Sequence, residues 1–241
     1  MAKPTTRNLS NYPQEFKKEL EAMGDNRWPL RDVFDDFLFM SSTALRQTVN
    51  QFTRGKIDPQ LEQDMRDRLK PKYKVPNDFS KAFAVLTMSL EEHPHDFLGE
   101  FYGAIAATNA ASGQFFTPSP VAAMSAKMTL DRSHFLKTLK RGQRFSVCEP
   151  AAGAGCMIIE CAKVLREWGA RTNEFYVDAS DIDKRCVMMC YVQCSLLHVP
   201  AIVRHQNTLS LEQWDAWPTL ALAMNPVIPP AQPPRKPIRD R

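Results

Sequence analysis

Apolar residues in the first 110 positions recur with helical spacing. Val33, Phe34, Phe37, Leu38 and Met40 follow the i, i+3, i+4, i+7 pattern with Asp32 placed to cap, and Leu45, Val49 and Phe52 continue that face beyond Ser41-Ser42-Thr43. A charged helix is predicted over 61–69, ending at Pro71. Phe79, Phe83, Leu86, Met88 and Leu90 define the next helix, and Asp96 is placed to cap a run through Phe97, Leu98, Phe101, Tyr102, Ile105 and Ala106. After residue 140 the period changes. Short apolar runs at 145–148, 174–179 and 201–204 alternate with helical stretches at 156–168 and 184–197, and such alternation predicts a parallel sheet. The expected organisation is a helical domain at 1–112, an α/β domain at 113–224 and a proline-rich basic tail at 225–241.

Composition narrows the classes. With 241 residues, 44% hydrophobic and 24% charged, the chain is globular, and no apolar stretch approaches the roughly 18–20 residues of a membrane span. The first residues carry no apolar core of a secretion signal, so a cytoplasmic location without membrane association is expected. All six cysteines (148, 156, 161, 186, 190 and 194) fall within 148–194, which is no disulfide framework. Cys186, Cys190 and Cys194 share a helix face but have apolar neighbours and no CxxC or His partner, so buried packing is expected and no metal. The charge of +4 permits nucleic-acid binding, and the basic stretch 54–74 reads as a solvated face or a DNA contact.

The chemistry concentrates in the turn after the first strand, Glu149-Pro150-Ala151-Ala152-Gly153-Ala154-Gly155. Gly153 and Gly155 let backbone approach a ligand at a helix N-terminus, beyond the carboxyl end of a strand. A dinucleotide fold would want glycine at position 158, which is Ile158, and Glu149 would face its pyrophosphate. Glu149 suits a cationic amino group instead. At the end of the second strand, Asp181 is placed to accept ribose hydroxyls, while Asp183 is placed as the cap of the next helix. Ahead of these, Gly113-Gln114-Phe115-Phe116-Thr117-Pro118 forms a rigid loop, with Ser119 as cap and Pro120 in the first turn of a helix.

Taken together, Gly113 to Pro118, Glu149 to Gly155, Asp181-Ile182-Asp183 and Asn207-Thr208-Leu209 resemble the N-6 adenine-specific DNA methyltransferases related to the modification subunits of type I restriction systems, in particular short stand-alone phage and plasmid forms. The resemblance spans roughly 100–211. It implies the Rossmann-like sheet of methyltransferases that use S-adenosyl-L-methionine, here left short, behind an N-terminal helical domain. It also implies double-stranded DNA as substrate. Carried over, Phe116, Thr117 and Pro118 line the methionine part of the cofactor, Glu149 binds its amino group within Glu149-Pro150-Ala151, Gly153 and Gly155 pass beneath it, and Asp181 with the adjoining Ile182 holds the ribose side. Asn207 matches the position near the adenine ring.

The chain departs from the family at the loop that grips the target base, which is Asn or Asp followed by Pro, Pro and an aromatic. Its nearest counterpart, Asn225-Pro226-Val227-Ile228, lacks the second proline and the aromatic, and leaves Asn207, Asn225 and Pro226 as the catalytic candidates. Trp214 and Trp217, beside a third-strand helix, could replace the stacking aromatic, but tryptophans so placed more often pack. The alternative to a methyltransferase is a regulatory protein of a restriction-modification system that binds the cofactor without transferring. An unfinished sheet also leaves an edge, which points to a partner subunit or a homodimer.

Overall fold

The strand sequences Phe145-Ser-Val-Cys-Glu149, Phe175-Tyr-Val-Asp-Ala-Ser-Asp181 and Ala201-Ile-Val-Arg-His-Gln-Asn207 place their small and apolar residues at alternate positions, and the fold uses that alternation to cover one face of a sheet. A computed structural model describes residues 11–25, 27–69, 72–73, 79–106 and 117–226 of the chain. Within it β1 (Phe145–Glu149), β2 (Phe175–Asp181) and β3 (Ala201–Asn207) are parallel in that order, joined by α8 (Cys156–Glu167) and α9 (Lys184–Leu196). A fourth strand, β4 (Glu212–Pro218), runs antiparallel to β3. It corrects the sequence expectation of a helix there, and β3 is three residues longer than expected. Trp214 and Trp217 therefore sit on a strand. Trp217 is buried against Tyr191, with rings 5.5 Å apart and the Arg46 guanidinium 4.5 Å over its face; Trp214 is half exposed beside His205.

Among the described residues, seven helices precede the sheet: α1 (Tyr12–Met23), α2 (Leu30–Arg54), α3 (Pro59–Leu69), α4 (Phe79–Glu92), α5 (Phe97–Ala106), α6 (Ser119–Thr129) and α7 (Arg132–Lys140); the short α10 (Leu220–Ala223) follows it. The long α2 runs straight through Ser41, Ser42 and Thr43, all buried, because Ser42 returns its hydroxyl to the Phe39 carbonyl. Asp32 lies in the first turn of α2 and does not cap it, since Pro29 occupies that position. Asp36 of the same helix is fully buried and accepts from Arg68 (2.6 Å), Lys72 (2.9 Å) and the Tyr73 hydroxyl (2.8 Å). Two cations of the basic stretch 54–74 are thus turned inward to neutralise one carboxylate, as a buried charge requires.

One apolar core links the helical front to the sheet, from Tyr12 to Trp217. Its hinge is α9, whose residues from Cys186 through Cys194 are all buried, with α2 packed on one side and β2 and β3 on the other. Gln193 is the one amide in that stretch. Its Nε2 donates to Asp96 (2.8 Å) and to the Ala154 carbonyl (2.9 Å), and its Oε1 accepts the Leu98 amide (3.0 Å). Every hydrogen-bonding atom of a buried amide is thereby used. The same network ties the start of α5 to the loop after β1, and Asp96 caps α5 as expected through the Gly99 amide (2.9 Å).

Candidate functional site

The loop after β1 is shaped by its glycines. Gly153 (φ +55°) and Gly155 (φ +105°) adopt left-handed backbone, and a Cβ on Gly155 would stand 3.3 Å from the Cys190 sulfur, so glycine is required where the chain passes over α9. The Ala152 amide donates to the Ser180 carbonyl (2.9 Å), tying the loop to β2. Asp181, at the carboxyl end of β2, closes the arrangement: Oδ2 accepts the Gly153 amide (2.8 Å) and Oδ1 the Asp183 amide (2.8 Å). Asp183 caps α9 by accepting the Arg185 amide (2.7 Å), as expected of it.

The parallel register sets Glu149 opposite Ala179, so Glu149 and Asp181 occupy the carboxyl ends of adjacent strands, on either side of Gly153. Glu149 uses Oε1 to accept the Ala151 amide (3.2 Å), and its other oxygen has no partner among the described residues. Pro150 and Ala151 are exposed at the rim, and Ile182 stands 60% exposed next to Asp181, an apolar side chain presented at a polar edge. Ile158 is fully buried in the core, so α8 does not approach the strand through a third glycine. With the Gly153 amide committed to Asp181 and two carboxylates flanking the loop, the site is unsuited to a pyrophosphate and suited to a ligand carrying a cationic amine and a diol.

Thr117 and Pro118 are exposed at the entry to α6. Pro118 holds the N-cap position and Ser119 does not cap; its hydroxyl donates to Glu100 (2.8 Å) and lies 4.0 Å from the Cys156 sulfur, at the start of α8. That contact brings Thr117 and Pro118 toward the glycine loop. Residues 113–116, including Phe116, lie outside the described residues.

Asn207 ends β3 on the same side of the sheet, but its Oδ1 accepts the Leu209 (3.0 Å) and Ser210 (3.2 Å) amides and forms the turn into β4. Its neighbour Thr208 donates to the Pro150 carbonyl (2.6 Å), latching that turn to the first loop. Asn225 and Pro226 are not brought to the site. The Asn225 carbonyl accepts from Arg144 (2.5 Å), which precedes β1 and also donates to the Phe175 carbonyl (2.6 Å), so Asn225 lies at the amino ends of β1 and β2, opposite Glu149 and Asp181.

Sequence reasoning missed the supports of this site. Arg185, two residues beyond the Asp183 cap, grips Asp35 with both Nε (2.5 Å) and Nη2 (2.7 Å) and donates to the Tyr102 hydroxyl (2.8 Å), fixing α9 to α2 and α5. The signal was a lone glutamine in an apolar helix and an arginine in a helix's first turn, where the dipole disfavours a cation unless acids surround it. Burial pushes the Asp96 carboxyl above its ordinary value, against the bonds from Gln193 and Gly99. Among the described residues, no group of three or more His, Cys, Asp or Glu could hold a metal ion, and no helix is long and apolar enough to cross a membrane.

The profile of the N-6 DNA Methylase family matches residues 93–228, more than half of the chain and all of the site, and the chain belongs to that family. Two solved structures are similar to it in fold. One is described as a class I S-adenosylmethionine-dependent methyltransferase of Listeria monocytogenes (12% identity, TM-score 0.40, 83% of this chain and 55% of that one). The other is the methyltransferase subunit of a type I restriction-modification system from Streptococcus thermophilus (13% identity, TM-score 0.41, 87% and 60%). The chain thus spans less than two thirds of the length of either. No curated protein matches its sequence.

Proposed function

We propose that this chain binds S-adenosylmethionine at the carboxyl ends of β1 and β2 and serves methylation of the exocyclic amine of adenine in double-stranded DNA. The observation that carries the reading is the pair of carboxylates, Glu149 and Asp181, on adjacent strands across a glycine loop whose own amide is already bonded. Glu149 would take the ammonium with its unpartnered oxygen. Asp181 would take the ribose hydroxyls on its remaining lone pairs, with Ile182 as an apolar wall for the adenine ring. Thr117 and Pro118, with Phe116 before them, would border the methionine end. The bound cofactor would supply an electrophilic methyl group on its sulfonium.

A second reading, cofactor binding without transfer, is favoured by one specific observation. Asn225 and Pro226 stand at the far end of the sheet, and the Asn207 carbonyl oxygen already accepts two amides, so neither is set to orient an amine. Calorimetric titration with S-adenosylmethionine tests the shared part. Glu149→Gln and Asp181→Asn should each weaken binding by about tenfold or more, as loss of a charge-assisted bond does. Unchanged affinity in both variants would refute the site. Transfer of labelled methyl groups to mixed-sequence duplex DNA then separates the two readings, with incorporation supporting the enzyme and its absence in a cofactor-binding protein supporting the second.

A further inference from the structure

Gln193 lies within the buried stretch of α9 at 0% exposure, where an apolar side chain would pack without any desolvation cost. All three of its bonds leave the helix. Toward the start of α5 it donates to Asp96 (2.8 Å) and accepts the Leu98 amide (3.0 Å); toward the glycine loop it donates to the Ala154 carbonyl (2.9 Å). Asp96 is itself buried and seated by the Gly99 amide (2.9 Å), where a Cβ on Gly99 would collide with its carboxylate. In the first turn of α8 the Ile159 amide takes the Gly155 carbonyl (3.0 Å), which leaves the buried Ala154 carbonyl to Gln193.

The peptide between Ala154 and Gly155 needs such a holder. A glycine at φ +105° resists rotation weakly, so the freedom that lets the loop pass close over α9 also lets this peptide turn over. A flip would point the Ala154 carbonyl away from α9 and break the bond from the Gly155 amide to the Ala152 carbonyl (2.9 Å). Cys190 and Gln193 are three residues apart on one face of α9, so the helix sets a small thiol beneath Gly155 and an amide beneath Ala154. The anchors from the sheet stop short of this peptide: Thr208 holds the Pro150 carbonyl, Ser180 the Ala152 amide and Asp181 the Gly153 amide.

We infer that Gln193 is a positioning residue of the proposed cofactor site: it holds the Ala154–Gly155 peptide with its carbonyl toward α9, and through Asp96 and Leu98 it makes the shape of the glycine loop depend on where α5 is seated. It touches no ligand and acts through Ala154. The inference rests on the reading of Glu149 and Asp181 as cofactor ligands. By this route the front helices enter the binding site without contributing a contact to it.

Gln193→Met keeps the volume and removes the bonds. In the full chain, amide exchange at Gly155 should quicken by about tenfold or more, and calorimetric affinity for S-adenosylmethionine should fall by about tenfold. Val192→Ala opens a cavity at the neighbouring buried position without removing any bond to the loop, so it should lower the melting temperature and change neither quantity. The wild-type protein supplies a measurement that needs no variant to fold: on saturation with S-adenosylmethionine the side-chain amide resonances of Gln193 should shift, while those of Gln47, bonded to the Asp58 carbonyl (2.7 Å), stay in place. Three results would overturn the inference in a protein that binds the cofactor: unchanged Gly155 exchange in folded Gln193→Met, an affinity loss in Val192→Ala equal to that in Gln193→Met, or Gln193 resonances indifferent to the bound cofactor. Failure of the cofactor reading looks different, since the wild type then binds no S-adenosylmethionine and the inference falls with it.

Discussion

At Gly155 the backbone turns through a left-handed conformation directly over the Cys190 sulfur. Gly155→Ala should cost about 1–3 kcal/mol in urea unfolding, from backbone strain and the crowded sulfur, and should weaken S-adenosylmethionine binding by displacing the loop. The matching substitution at Gly142, which also has positive φ but has nothing within 4 Å of its virtual Cβ, carries only the backbone part. This loop was legible in the sequence because its logic is local: an acid ends a strand, glycines open a helix, and a second acid lies beyond the next strand. Asn207 and Asn225 were not. The side chain of Asn207 is taken by its own turn, and the position of Asn225 depends on α10 packing against α2 and β3, which no local pattern encodes.

Arg185 illustrates the level of the element. It carries no part of the proposed ligand contacts yet joins α9 to α2 through a two-pronged bond to Asp35, with both side chains about one-fifth exposed. Arg185→Ala should lower stability by about 1–3 kcal/mol, less than a fully buried pair because water still reaches both groups. Arg185→Lys should recover less than half of that, since an ammonium cannot make the planar two-point contact. Thermal melts of the three proteins measure both effects. The helices containing these residues followed from apolar spacing alone. β4 did not, because Gln213-Trp214-Asp215-Ala216-Trp217-Pro218 has a shift in register at its pairing with His205 and Gln206 and ends in a proline tolerated only at a sheet margin.

For the molecule as a whole, burial raises the Asp96 carboxyl above its ordinary value, so in the acid range the folded state keeps that proton to higher pH than the unfolded chain does. The folded state is then relatively favoured at low pH, and this contribution to stability is lost as pH rises above 3.8. Asp96→Asn, which keeps an acceptor for Gly99, should remove that component. Urea midpoints measured across the acid range should converge at the low-pH end and diverge above it, with the variant the more stable. The thiols report the same compactness. Cys148 is exposed, while burial shields Cys156 and Cys161, pushing both to about 11, and raises Cys186 further; the Cys194 hydrogen bond, together with burial, raises Cys190. Native protein should therefore offer one of its six thiols to an aromatic disulfide reagent within minutes and the rest only on unfolding.

Because α9 is buried from Cys186 to Cys194 between α2 and the sheet, it is in effect a shared wall, and the front helices have become co-authors of the strand that follows it. A chimera joined near residue 113 would set one parent's α2 against the other parent's α9 and inherit a mismatched seam. A junction in the turn at 208–211 keeps α2, α9 and the three parallel strands from one parent and places the seam between β3 and β4, whose pairing rests on main-chain bonds that any sequence can make. Among related proteins, recombination should then leave its traces after β3 and spare the stretch between the front helices and α9.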